Sequence, residues 1–260
     1  MGTHGTDMHP NARRILVVNG KGGCGKTTIA TNLAVAYAAR KQRVALIDND
    51  PQAASTFWGE QRGNVEPIVD VVPAYRRAAM YETQAFQNRL HPATSRIIVD
   101  GQSNARDQHL ELLIRQADVI LIPLLPSAID MHVGERFITE LLTHRVYRSA
   151  PRPVAAIANR VQPNTEMHQK LTQFLNCLDV PCVATFRDSP VYTQAAELGR
   201  GVVDMKEHRS ARRECGAWWQ LVDWIDAQPK SARVTVSELR QRPKAAARHG
   251  ADSASESLSA

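Results

Sequence analysis

The chain has 260 residues, of which 43% are hydrophobic, and carries a formal charge of +6. That length and apolar content suit one α/β domain with tails. No apolar run approaches the ~20 residues that cross a bilayer, and residues 1–10 are polar and lack the apolar core of a secretory signal. The moderate positive charge permits a polyanionic partner without requiring one. Four cysteines, Cys24, Cys177, Cys182 and Cys215, show neither metal-ligand nor CxxC spacing. This predicts a reduced, cytoplasmic setting, with Cys177 and Cys182 as buried helix and strand residues.

Taken in chain order, Ile15-Leu16-Val17-Val18 reads as a strand and residues 28–40 as a helix rich in helix formers. Between them lies Asn19-Gly20-Lys21-Gly22-Gly23-Cys24-Gly25-Lys26-Thr27-Thr28, which satisfies G-x-x-x-x-G-K-[ST] through Gly20, Gly25, Lys26 and Thr27. The glycines let successive backbone N–H groups turn inward around phosphates, and the helix start adds its dipole. Lys26 reaches the β- and γ-oxygens and the Thr27 hydroxyl ligates Mg2+. Lys21 is surplus. A second ammonium buried without a partner costs several kcal/mol, on the order of the figures for lone buried charges, so one subunit alone gives it no evident role.

Further along, residues 43–48, 96–100, 119–123, 154–159 and 182–186 read as strands. Helical stretches are expected near residues 80–90, 109–115, 133–147, 166–178 and 218–227. Such alternation predicts a mostly parallel central sheet flanked by helices, a three-layer P-loop fold. The late run Trp218, Leu221, Val222, Ile225 has helical spacing and reads as core. The expected organisation is a flexible N-terminus over 1–12, the domain over 13–229, and a disordered basic, Ala/Ser-rich tail over 230–260. Two strand ends carry acids, in Asp48-Asn49-Asp50-Pro51-Gln52 and in Asp100-Gly101. Carboxylates at strand ends beside a P-loop hold Mg2+, often through water, or orient an attacking water.

The run Lys21-Gly22-Gly23-Cys24-Gly25-Lys26-Thr27 resembles the deviant Walker A box, K-G-G-x-G-K-[ST], of the ParA/MinD family of ATPases. The resemblance spans about residues 13–227. It implies that Lys21 crosses a dimer interface to the nucleotide of the other subunit, making ATP the link of a homodimer. Asp48-Asn49-Asp50-Pro51-Gln52 resembles the family's D-x-D-P-Q box. Asp50 then positions the hydrolytic water, and Asp48 supports the Mg2+ shell or local hydrogen bonds. Asp100 matches the Walker B acid that partners Thr27. Where many relatives have D-T-P-P, this chain has Asp100-Gly101-Gln102-Ser103, a departure that resembles the small ParF-type partition branch. The segment Leu121 to Asp130 is similar to that branch as well. Asn159 ends a strand where the family approaches adenine, as a base reader or as a turn residue, and Arg187 lies in the segment resembling the late adenine-side loop.

The resemblance further implies slow hydrolysis of ATP, stimulated by a ParB-like or other cargo adaptor. Arg200, Lys206, Arg209, Arg212 and Arg213 form a late basic cluster, either a solvated surface or a phosphate-contacting face. With no helix-turn-helix pattern near the N-terminus, non-specific binding to nucleoid DNA by the ATP-bound dimer is the expected mode. The expected role is plasmid or chromosome partition. The alternative is positioning of a protein cargo, such as carboxysomes or chemoreceptor clusters. A MinD-like membrane-associated regulator fits less well, because residues 234–239 are short for an amphipathic anchor and Pro243 follows.

Overall fold

Seven parallel strands in the order β3-β2-β4-β1-β5-β6-β7 form one sheet in the computed structural model, which describes residues 11–75, 90–103 and 107–230. In chain order the elements are β1 (Arg13–Val17), α1 (Lys26–Ala39), β2 (Val44–Asp48), α2 (Ala54–Arg62), β3 (Val69–Pro73) and β4 (Arg96–Asp100). Then follow α3 (Asp107–Gln116), β5 (Val119–Leu124), α4 (Ala128–Thr143), α5 (Arg145–Ser149), β6 (Val154–Val161) and α6 (Glu166–Asn176). The described part closes with β7 (Cys182–Arg187), α7 (Pro190–Glu197), a 3-10 turn (Val202–Asp204) and α8 (Arg209–Ala227).

A parallel sheet must be covered on both faces, so its strands are nearly continuous apolar runs. Every residue of β1 and of β5 is buried. Side chains alternate between faces along each strand. Ile15 and Val17 therefore join the core built with α1 and α8, whereas Leu16 and Val18 join the core under α3, α4 and α6. Helix α1 is buried on nearly all sides, which its alanines Ala30, Ala34, Ala36 and Ala38 allow by letting neighbours approach closely. Trp218 of α8 is fully buried and stacks on Phe186 with ring centroids 4.0 Å apart. Burying such a side chain contributes about 2–3 kcal/mol, so the late aromatic run is core, as its spacing indicated.

The register places the functional strand ends side by side. Val17 pairs with Asp100, and Asp100 with Asp48, so the loop after β1 and both acids emerge from one row of β1, β4 and β2. Ligands of open α/β sheets gather at such carboxyl ends.

Several expectations are corrected. The helix expected over 133–147 starts earlier, at Ala128, where the Ser127 hydroxyl caps it by accepting from the Asp130 N–H at 3.1 Å. It stops at His144, whose backbone is extended, and α5 restarts beyond. Helix α8 begins at Arg209 rather than Trp218; its first half buries only Ala211 and Glu214 and so carries a weak apolar signal. Cys177 and Cys182 are exposed, not buried, because the first follows the end of α6 and the second opens the edge strand β7. The helix expected at 80–90 falls almost wholly in a segment outside the described residues, as does the tail beyond Lys230. Ala12 is buried, and Lys230 Nζ donates to the Asn11 carbonyl at 2.7 Å.

Candidate functional site

The loop from Val18 to Gly25 joins β1 to α1, and its shape depends on two glycines in the left-handed region, Gly23 (φ 77°) and Gly25 (φ 92°). Gly25 is doubly constrained, since a Cβ there would lie 2.1 Å from Asn159 Nδ2. The Asn159 amide, buried at the end of β6, donates to the Cys24 carbonyl at 2.9 Å and so braces the loop from below. Asn19 ties the other side: its Nδ2 donates to the Pro123 carbonyl at 2.7 Å and its Oδ1 accepts from the Lys21 N–H at 3.2 Å. Cys24 is buried, and burial pushes its thiol pKa up, so it acts as a small packing residue here.

Lys26 opens α1 and is buried; its Nζ donates to Ser103 Oγ at 2.8 Å and to the Lys21 carbonyl at 3.2 Å. The next residue, Thr27, donates its hydroxyl to Asp100 Oδ2 at 2.7 Å, and Ser55 Oγ donates to the same oxygen at 2.7 Å. Asp100 Oδ1 is buried with no hydrogen-bond partner. Burial raises the pKa of this carboxyl to about 6, against the lowering effect of the Ser55 and Thr27 hydrogen bonds. An orphaned carboxylate oxygen beside a threonine hydroxyl suits a hard divalent cation, and Mg2+ takes one or two protein oxygens with phosphate and water for the rest. Among the described residues no cluster of three or more His, Cys, Asp or Glu side chains forms an all-protein metal cage.

Asp48 is fully buried and its oxygens are engaged within the chain. Oδ2 accepts from the Thr56 N–H and hydroxyl, each at 2.7 Å, and Oδ1 accepts from the Asp50 N–H at 3.2 Å. Of the two roles open to it, local bracing is what these contacts display. Asp50 is half-buried; Oδ1 accepts from the Gln52 N–H at 3.0 Å and Oδ2 from the Ser103 N–H at 3.3 Å. Asn49 Nδ2 lies 3.1 Å from His109 Nε2, and partial burial lowers the His109 pKa.

Lys21 has a partner that the sequence reading did not find. Its Nζ lies 2.7 Å from Asp130 Oδ1, an ion pair lacking hydrogen-bond alignment, with the lysine side chain 34% exposed and the aspartate 8%. Asp130 also accepts a short hydrogen bond from the Ser127 hydroxyl. Contrary to expectation, Lys21 has a partner within its own subunit: an acid in the first turn of α4 offsets its charge.

Ser55, Thr56, Ser103 and Asp130 complete the constellation; Ser103 and Asp130 close two segments whose resemblance assigned neither of them a role, and no motif spacing announces Ser55 or Thr56. Arg187 stands apart, half exposed at the end of β7, 3.5 Å from Glu214 Oε1. In the basic cluster, Lys206, Arg209, Arg212 and Arg213 are exposed. The last three occupy one face of the start of α8, while Arg200 pairs with Glu207 at 2.8 Å. No helix among the described residues is long and apolar enough to cross a membrane.

A glycine-built loop at the end of the central strand, a helix-initial Lys-Thr pair and a buried acid on the adjacent strand define a P-loop nucleotide-binding protein. The comparison with known families is specific: residues 15–197 match the CobQ/CobB/MinD/ParA nucleotide binding domain, and the chain belongs to that ParA/MinD family of ATPases. It is 31% identical over 195 residues to maintenance of carboxysome distribution protein A of Halothiobacillus neapolitanus, covering 74% of this chain and 87% of that one. It is 28% identical over 123 residues to protein ParA of Rhizobium radiobacter, covering 46% of this chain and 52% of that one. The MinC:MinD cell division complex of Aquifex aeolicus shares the fold, with a TM-score of 0.64 at 18% identity over 82% of this chain and 96% of that one.

Proposed function

We propose that this protein is an ATP hydrolase that dimerises on ATP, binds DNA without sequence preference and uses that cycle to segregate or position cargo. The observation that carries the reading is Lys21, a second lysine in the phosphate loop. Its side chain is one-third exposed and its ammonium pairs with Asp130, whereas the ammonium of Lys26 is turned to Ser103 and the Lys21 carbonyl. Leaving Asp130, which is 8% exposed, uncovers a buried carboxylate. Lys21 therefore exchanges it only for a stronger negative charge, such as that of a nucleotide in a second copy.

In this reading the loop N–H groups and the α1 N-terminus bind the phosphates, and Lys26 exchanges Ser103 for the β- and γ-oxygens. Thr27 and Asp100 would hold Mg2+, which would supply charge neutralisation at the outer phosphates. Asp50, fixed through Asp48 and the Ser103 N–H, orients the attacking water. Catalysis of this type is positioning plus electrostatic stabilisation. Asn159, besides bracing the loop, and Arg187 are the residues this reading assigns to the base. The exposed arginines of α8, with Lys206, make the DNA-contacting face, and a partner adaptor of the ParB kind stimulates release.

Plasmid or chromosome partition is the first role this supports. Positioning of a protein cargo has its own support, since the relative of which the chain covers 87% is a carboxysome distribution protein. The decisive experiment measures ATP-dependent dimerisation of wild type, Lys21→Ala and Asp50→Ala by light scattering. Loss of the dimer in Lys21→Ala and a persistent dimer in Asp50→Ala support the scheme; unchanged behaviour in both overturns it.

A further inference from the structure

Gly101-Gln102-Ser103 follow β4 and are in contact with the centre of the site. Gly101 lies against β1, its N–H donating to the Val17 carbonyl at 2.9 Å; a Cβ at this position would come within 2.8 Å of that oxygen. This close approach carries Ser103 over the phosphate loop, where a Cβ on Gly22 would sit 3.6 Å from Ser103 Oγ. Ser103 then bonds in two directions. Its hydroxyl accepts from Lys26 Nζ at 2.8 Å, and its backbone N–H donates to Asp50 Oδ2 at 3.3 Å.

We infer that Ser103 is the residue with which this site distinguishes a nucleoside triphosphate from a diphosphate, its hydroxyl donating to the terminal phosphate once Lys26 turns to the nucleotide. The inference rests on the ATPase reading above. Lys26 is the group that meets the outer phosphates, and Asp50 is the group that faces the terminal phosphorus through a water. The residue one hydrogen bond from each stands beside the last phosphate, which a diphosphate lacks. In the structure the hydroxyl oxygen accepts from Lys26 and keeps its buried ammonium satisfied. When phosphate oxygens take Lys26, the same hydroxyl rotates and becomes a donor, which a hydroxyl can do and a proline or alanine cannot. The backbone bond to Asp50 survives that rotation, so the serine and the water-orienting acid close on the terminal phosphate together.

A hydrogen bond to a charged group is worth enough that its loss lowers affinity about tenfold or more. The test measures affinities for ADP and for a non-hydrolysable ATP analogue, both with Mg2+, in the full chain as wild type, Ser103→Ala and Ser103→Thr. Ser103→Ala is expected to lose about tenfold in affinity for the triphosphate while keeping ADP affinity near wild type. Ser103→Thr retains the hydroxyl and should restore the preference. Equal losses for both nucleotides, or an unchanged ratio in Ser103→Ala, overturn the inference and leave the ATPase reading intact. Failure of wild type itself to bind the triphosphate overturns both.

Discussion

Replacing Asp100 by asparagine should stabilise the empty protein while removing its response to Mg2+-nucleotide. Burial raises the carboxyl pKa from 3.8 to about 6, and one of its oxygens has no partner. The sign follows from linkage: between these values the folded state binds more protons than the unfolded chain, so stability falls as pH rises across the window. The favourable, protonated contribution is complete below 3.8 and lost as pH passes through about 6. At pH 8 the cost of holding this carboxylate ionised is about 3 kcal/mol. An amide removes the charge, and its oxygen still accepts from Thr27 and Ser55 in the place of Oδ2. The amide N–H groups then sit where Oδ1 has no partner, at a cost of about 1–3 kcal/mol. Urea unfolding of Asp100→Asn without nucleotide should therefore show a gain of up to about 2 kcal/mol at pH 8, falling by about 1–1.5 kcal/mol by pH 5. With saturating Mg2+-ATP the order reverses, because wild type gains binding energy and the variant does not. An empty variant destabilised at pH 8, or a gain independent of pH, would refute the view of Asp100 as a strained acid awaiting a cation.

Other outcomes follow from the same geometry. Gly25→Ala forces a Cβ within 2.1 Å of Asn159 Nδ2 at a φ of 92°, and should abolish nucleotide binding in a fluorescence titration. Asn159→Ala removes the brace on the Cys24 carbonyl. It should weaken ATP and inorganic tripolyphosphate alike, whereas a loss confined to ATP would give Asn159 to the base. Arg62→Met breaks a buried ion pair with Asp204, 2.9 Å long, together with bonds to the Gly199 and Pro67 carbonyls. Denaturant unfolding should register a loss of about 3–5 kcal/mol. If Arg212 contacts a phosphate, Arg212→Ala should flatten the log–log salt dependence of ATP-dependent DNA binding by about 0.9; an unchanged slope would leave the arginine as solvated surface.

The phosphate loop and its two acids were legible because each is a local pattern: glycines at fixed offsets, and an acid closing an apolar run. Asp130 and Ser103 were not, since their value lies in contacts made across the sheet. Ser103 meets Lys26 from 77 residues away in the chain, and Asp130 reads locally as an ordinary helix-initial acid. Strand β3 went unread for a different reason. It is an edge strand with Asp70 and Pro73 in it, residues a central strand would exclude; Asp70 is held by the Arg43 guanidinium in two bonds of 3.1 Å. Helix α2 likewise buries only Ser55, Trp58 and Arg62, too few apolar positions to mark a helical face. Polar residues carry it instead, through Ser55 to Asp100 and Arg62 to Asp204.

The shared row of Val17, Asp48 and Asp100 has a consequence for how this chain tolerates change. Successive strand residues point to opposite faces and advance about 3.3 Å. One residue lost from Val44–Asp48, with the pairing kept at its start, would swing the acid to the wrong side and withdraw it by that distance. The same loss in a connection away from the site is absorbed by the slack of the loop. Length is thus fixed within three short strands, the phosphate loop and the turn that carries Asp50, and negotiable in connections that touch none of these. Insertions that add new surface belong in those connections, where they leave the site in place.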